Sequence, residues 1–336
     1  NLSFVLFILA GTLWRGLSLN LIFQVMLFSS LVTSGAVLFW LRKLLHSFTV
    51  KADQRKLFSS DLMAKVLGFG LIMIPGTLAM MVLRISDRYM LTWLSPRGLY
   101  DVGIYAIGYR IGMILSFLTS LFSMVYFPYA MKIASNDNPE ITYRRFFKLY
   151  SLTGGILGFA IILLAAEIFS IFIDRSYHEG IRIVFAGVVS CYLTGIFNMI
   201  NISFYIRQKA RHIALTVGAG AILNIVLNYF AIPRYGFYGA GIASIIAYLT
   251  IVIVNYIISE KMYRIGYQVS GMVISLAAML IISLLNFITL NTGYISLIKL
   301  GILAFIVLIF GRYLLFTGRE LALLKRYLQG NRNVPE

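Results

Sequence analysis

Residues 183–204 read IVFAGVVSCYLTGIFNMINISF, twenty-two consecutive positions without one charged side chain. At 1.5 Å per residue a helix of that length reaches about 33 Å, enough to cross the roughly 30 Å of hydrocarbon in a bilayer. In lipid the backbone polar groups must pair within the segment, so the run reads as a helix and not as an open strand. A strand of a membrane barrel would alternate over about ten residues, and this run does not alternate.

Working outward, blocks of the same kind recur near 19–41, 66–83, 104–126, 152–173, 213–232, 238–258, 269–290 and 295–311. A shorter apolar stretch, 1–14, precedes them without an initiator Met or a charged flank, and no signal peptide is visible. The expected fold class is an all-α integral membrane protein of about ten transmembrane helices, the first incomplete at an N-terminal truncation. Composition agrees: 60% of the 336 residues are hydrophobic and 12% are charged, with a mean hydropathy of +0.87. A soluble domain carries about twice that share of charge.

Twenty of the 29 Lys and Arg residues fall in the loops after the second, fourth, sixth, eighth and tenth blocks. Seven fall in the other loops, and Arg110 and Lys299 lie inside apolar windows. Basic residues mark cytoplasmic loops, so an alternating bias fixes the expected topology, with the C-terminus cytoplasmic. The net charge of +17 is thereby explained by orientation and by attraction to anionic membrane lipids; nucleic acid is not an expected partner. The single cysteine, Cys191, excludes an internal disulfide and a multi-Cys metal site. His46, His178 and His212 stand in separate loops and look solvated, so no metal site is expected.

Two loops carry local signals. Asn138 is placed to cap a helix beginning at Pro139, with Glu140 in its first turn. The residues after it, with Arg144, Arg145 and Lys148 among aromatics, read as an interfacial helix leading into the next span. The stretch 318–331, GRELALLKRYLQGN, reads as a cytoplasmic amphipathic helix lying on the membrane.

No phosphate-cradling GxxxxGK[ST], HExxH or GxSxG motif is present, and the loops leave little room for a catalytic domain. The expectation is a non-enzyme, without catalytic residues or cofactor. Polar side chains at membrane depth are costly and therefore functional candidates. Arg110 lies well inside its block, and Arg84, Asp87 and Arg88 cluster at the end of the preceding one. They suit either a local Asp–Arg lock or a basic lining for an anionic ligand, since Arg matches phosphate bidentately. Glu167 is a weaker candidate for ion or proton coupling. Asn198, Asn201, Asn224 and Asn228 suit either the lining of a cavity or, the favoured reading, hydrogen bonds between helices. Gly108/Gly112 and Gly154/Gly158 are small-xxx-small pairs for close helix approach, and Pro75 should kink its helix.

Three runs, IPGTLAMMVLRISDRYML (74–91), VGIYAIGYRIGMIL (102–115) and FPYAMKIAS (127–135), resemble the helix pair that opens the second half of polysaccharide flippases. These belong to the multidrug/oligosaccharidyl-lipid/polysaccharide exporter superfamily. The run LNIVLNYFAIPRYGFYGAGIASIIAYL (223–249) is similar to that family's Asn-containing span, turn and following span. The resemblance implies helices five to fourteen of a two-lobe, fourteen-helix transporter. Residues 1–60 would end the first lobe, 61–260 form the second, and 261–336 supply two additional helices and the tail. It further implies export of an undecaprenyl-diphosphate-linked oligosaccharide by alternating access, for surface polysaccharide such as O-antigen or teichoic-type polymers. By the same resemblance Arg88 and Arg110 would meet diphosphate or acidic sugar, with Arg84 in support and Asp87 orienting them. Polysaccharide polymerase and assembly proteins are the implied protein partners. Two alternatives stay open: a drug/cation antiporter of the same superfamily, and a membrane-embedded glycosyltransferase or polymerase.

Overall fold

The computed structural model describes residues 19–49 and 60–289. The apolar segments expected at 1–14 and 295–311, and the amphipathic tail, lie outside the described residues. By compactness the chain divides into two units, 1–69 and 70–336. The first contains α1, Leu19–Thr49, and the start of α2, Ser60–Leu94, whose remainder belongs to the second.

In the second unit α3 (Leu99–Gly112) and α4 (Leu115–Lys132) follow, then α5 (Pro139–Leu163) and the short α6 (Ala165–Phe172). A 3₁₀ turn (Arg175–Ile183) leads into α7 (Val184–Ile200) and the one-turn α8 (Ile202–Ile206). The hairpin α9 (Arg211–Tyr235) and α10 (Phe237–Met262) comes next, then α11 (Ser270–Thr289). No strand occurs among the described residues. Among the described residues, four segments are long and apolar enough to cross a membrane: α5, the 3₁₀ turn through α8, α9 and α10. The pair α3–α4 makes a fifth if its 47° bend is counted within one span.

Elements differ from the expected blocks where local backbone chemistry intervenes. The block at 104–126 is not one straight helix but breaks at Met113–Ile114, where hydrogen bonding tightens: the Ile114 N–H reaches the Ile111 carbonyl at 3.1 Å. No separate interfacial helix precedes the next span; Pro139–Leu163 runs as one helix. Asn138 makes no side-chain cap and instead takes a left-handed conformation, φ 55°, which turns the chain into Pro139. Asp174 does cap the 3₁₀ turn, accepting from the Ser176 hydroxyl at 2.6 Å and N–H at 2.9 Å. Those bonds hold its exposed carboxyl below the usual range. Helix α2 runs without interruption through Pro75.

Lipid is as apolar as leucine, so close packing and internal hydrogen bonds must hold such helices together. The Gly108/Gly112 pair acts as expected; in the second pair Gly158 faces α11, whereas Gly154 faces the Tyr192 ring of α7. Gly108 and Gly112 let α3 approach the 3₁₀ turn and α7 so closely that a Cβ on Gly108 would fall 2.1 Å from the Gly180 carbonyl oxygen. Gly158 and its neighbour Gly155 seat Met279 and Ser275 of α11, where the Ser275 hydroxyl donates to the Ser151 carbonyl at 2.9 Å. Asn286 clamps the same pair further along, donating to the Ile162 carbonyl at 2.6 Å. Buried tyrosines bond to main-chain carbonyls: Tyr143 to Ala130, Tyr192 to Ser151, and both Tyr126 and Tyr267 to Met199, at 2.9–3.2 Å. Each places an aromatic body in the core while satisfying its hydroxyl.

Candidate functional site

Near its C-terminal end α2 turns Asp87 inward, where it is 2% exposed. Three elements converge on it. Tyr105 of α3 and Ser244 of α10 each donate a hydroxyl at 2.5 Å, and Asn228 of α9 donates its amide at 2.7 Å. Asn224, one turn before Asn228, accepts from that same amide at 3.1 Å and from the Ser86 hydroxyl at 2.9 Å. The Asn228 side-chain oxygen is buried and has no partner. Tyr105 is in turn stacked on Tyr109 at 5.2 Å.

Every partner of this carboxylate is neutral. A buried charge without a counter-charge is expensive even when well hydrogen-bonded. Three neutral donors offset part of that cost, and the oxygen atoms gathered around Asp87 are of the kind that receive a proton or a small cation. No group of three or more acidic, His or Cys side chains suited to a resident metal occurs among the described residues.

The arginines singled out in the sequence do not supply the counter-charge. Arg84 and Arg110 are exposed and Arg88 is half-buried. Among the described residues none of the three is in a salt bridge. Arg84, one turn before Arg88 on α2, acts electrostatically on the Tyr248 hydroxyl of α10 and on Cys191 of α7. Arg110 occupies the last turn of α3, next to the bend, and lies about 140° round the helix from Tyr105. Glu167 is half-buried in the short α6 and belongs to none of the contacts around Asp87. The Asn224/Asn228 pair, one helical turn apart in an apolar run, was the sequence signal for these contacts; Ser244 and Tyr105 gave none.

The same end of the bundle carries a second polar cluster. Arg97, between α2 and α3, pairs with buried Asp101 at 2.8 Å and with Glu179 of the 3₁₀ turn at 3.1 Å. Its guanidinium also lies over the rings of Tyr100 and Phe237 at 4.8 and 5.3 Å. Ser95 hydrogen-bonds the other oxygen of Asp101. The hairpin turn closes against that oxygen at Gly236, φ 54°, where a Cβ would lie 2.7 Å from it. Only glycine meets both conditions.

No protein-family model matches the chain, and no curated protein matches it. A solved structure described as "Lipid II flippase MurJ, inward closed conformation" does match, with a TM-score of 0.55 and 17% identity. The fold is one that a lipid II flippase has. The match covers 75% of this chain and 53% of the other, so this chain spans about half the length of that flippase.

Proposed function

We propose that this protein flips an undecaprenyl-diphosphate-linked oligosaccharide from the cytoplasmic to the outer leaflet of the bacterial inner membrane by alternating access, in surface polysaccharide synthesis. The observation that carries this reading is the likeness of the fold to a lipid II flippase. A diphosphate headgroup must leave water midway, and cationic groups lower that cost. Arg84, Arg88 and Arg110 supply such groups, and among the described residues no carboxylate forms an ion pair with them.

On this reading residues 61–260 form the second lobe, 1–60 end the first, and 261–336 add two helices and a cytoplasmic tail. The basic loops face the cytoplasm and its anionic lipids, and polymerase and assembly proteins receive the cargo. Coupling is better assigned to Asp87 than to Glu167, because Asp87 is the buried carboxylate with only neutral donors. Exchange of a proton or a small monovalent cation at Asp87 would bias the packing of α2, α3, α9 and α10.

The experiment is made in cells that express the protein. Its deletion should strip surface polysaccharide and leave lipid-linked repeat units facing the cytoplasm. Re-expression of an Arg88→Ala/Arg110→Ala double variant, at normal membrane level, should not restore export; normal export would remove the two arginines from the cargo site. The buried Asp87 also suits the second reading, a drug/cation antiporter. Restored dye efflux with unchanged surface glycan would favour that one.

A further inference from the structure

Helix α4 carries no charged side chain from Leu115 to Met131, and α7 carries none at all. Each nevertheless turns a polar edge outward. On α4, Ser116, Ser120 and Ser123 fall within about 60° of one another round the helix, Ser120 exposed and the other two half-buried. On α7, a helix otherwise almost wholly buried, Thr194 and Asn198 come to the surface one turn apart. The two edges adjoin: the Asn198 amide donates to the Ser123 hydroxyl at 3.0 Å. Phe127, one turn beyond Ser123 on the same edge, is 41% exposed and meets the Tyr205 ring of α8 edge-on at 4.9 Å.

Much of the hydrogen-bonding capacity along these edges is unused. A helical hydroxyl that faces lipid commonly donates back to the carbonyl four residues earlier. Thr153 does so to Leu149 and Thr250 to Ile246, each at 2.8 Å. The Ser116 and Ser120 hydroxyls have no partner among the described residues. Two further oxygens lie within about 80° of Thr194 and Asn198 round α7: Ser190 Oγ and Asn201 Oδ1 are buried and also without a partner. Unpaired polar groups are costly at membrane depth. The edge therefore suits a ligand that brings its own donors and acceptors, and, with no charge along it, one that is neutral where it touches.

Arg110 occupies the last turn of α3, next to the bend from which α4 departs. The polar edge starts about 9 Å along the chain of turns from that charge and runs for about 16 Å to Phe127. We infer that this edge is a subsite for the glycan of the cargo, neutral sugar hydroxyls bonding Ser116, Ser120 and Asn198 while the diphosphate stays at Arg110. The inference rests on the function proposed above and adds a substrate class to it: the sugars nearest the diphosphate carry no charge. The Phe127 ring offers their C–H faces an apolar surface at the far end.

The test measures binding of the full chain in detergent to three lipids: undecaprenyl diphosphate alone, the same lipid bearing a neutral disaccharide, and one bearing a disaccharide with a uronic acid next to the diphosphate. The neutral disaccharide should tighten binding over the bare lipid by about tenfold, the contribution of one to two hydrogen bonds. Ser116→Ala/Ser120→Ala should abolish that gain while bare-lipid binding and the thermal midpoint stay at the parent's values, since neither hydroxyl has a protein partner to lose. Arg110→Ala should weaken binding of all three lipids. No gain from the neutral disaccharide, a larger gain from the acidic one, or an unchanged gain in the folded serine double variant would each overturn the subsite and leave the flippase reading standing. Failure of all three lipids to bind would overturn that reading, and the subsite with it.

Discussion

The Asn228 amide donates to the Asp87 carboxylate at 2.7 Å, joining residues 141 positions apart in the chain. Asn228 also bonds Asn224 one turn away, so one side chain ties the end of α2 to the face of α9. Replacing it with leucine removes a donor from a buried charge. Asn228→Leu should cost on the order of 1–3 kcal/mol, read as a fall in the thermal midpoint of the purified protein. An unchanged midpoint would mean that Asp87 finds another donor.

The companion substitution separates charge from shape. Asp87→Asn keeps the size of the side chain and removes its charge. Flipping reconstituted in vesicles should then lose its response to imposed proton or sodium gradients, although the protein remains folded. A gradient response equal to the parent's would rule out Asp87 as the coupling residue.

Close packing yields a prediction about glycine. A Cβ on Gly108 would meet the Gly180 carbonyl, and both sides of that contact are backbone, whereas a Cβ on Gly218 would meet nothing within 4 Å. Gly108→Ala should therefore sharply reduce folded protein, and Gly218→Ala should leave it unaffected. Yield of monodisperse protein after detergent extraction distinguishes the two.

Arg97 is half-exposed, but its partner Asp101 is buried. Arg97→Gln strands that carboxylate and should destabilise by on the order of 1–3 kcal/mol. Adding Asp101→Asn should recover part of the loss, since the second change removes the stranded charge. Strictly additive losses in the double variant would show that the pair is not coupled.

Helix placement was largely legible in the sequence, because a lipid solvent imposes long apolar runs and charged ends. The Gly108/Gly112 pair was legible for the same reason: small residues at helical spacing have few other uses in a span. Breaks were harder to see. Nothing in GYRIGMILSF marks the bend at Met113–Ile114, since Gly112 had a packing role that equally explained it. Asn138 misled because capping and a left-handed turn draw on the same residue type. At the polar site, proximity in sequence suggested that Asp87 belongs with Arg84 and Arg88. Its partners lie on three other helices, and long-range contacts of that kind leave only faint marks, such as the Asn224/Asn228 spacing.

The bend between α3 and α4 has a mechanical consequence. Its tightened turn keeps the amides engaged, so the angle can change without stripping backbone groups into hydrocarbon. Helix α4 extends 18 residues beyond it, an arm of about 27 Å. A rotation of about 10° at the bend would swing the tip of that arm by roughly 5 Å, about one helical turn. Arg110 sits at the fulcrum and would scarcely move. Under the proposed function, such a motion would leave the charge in place and change only the side from which it can be reached.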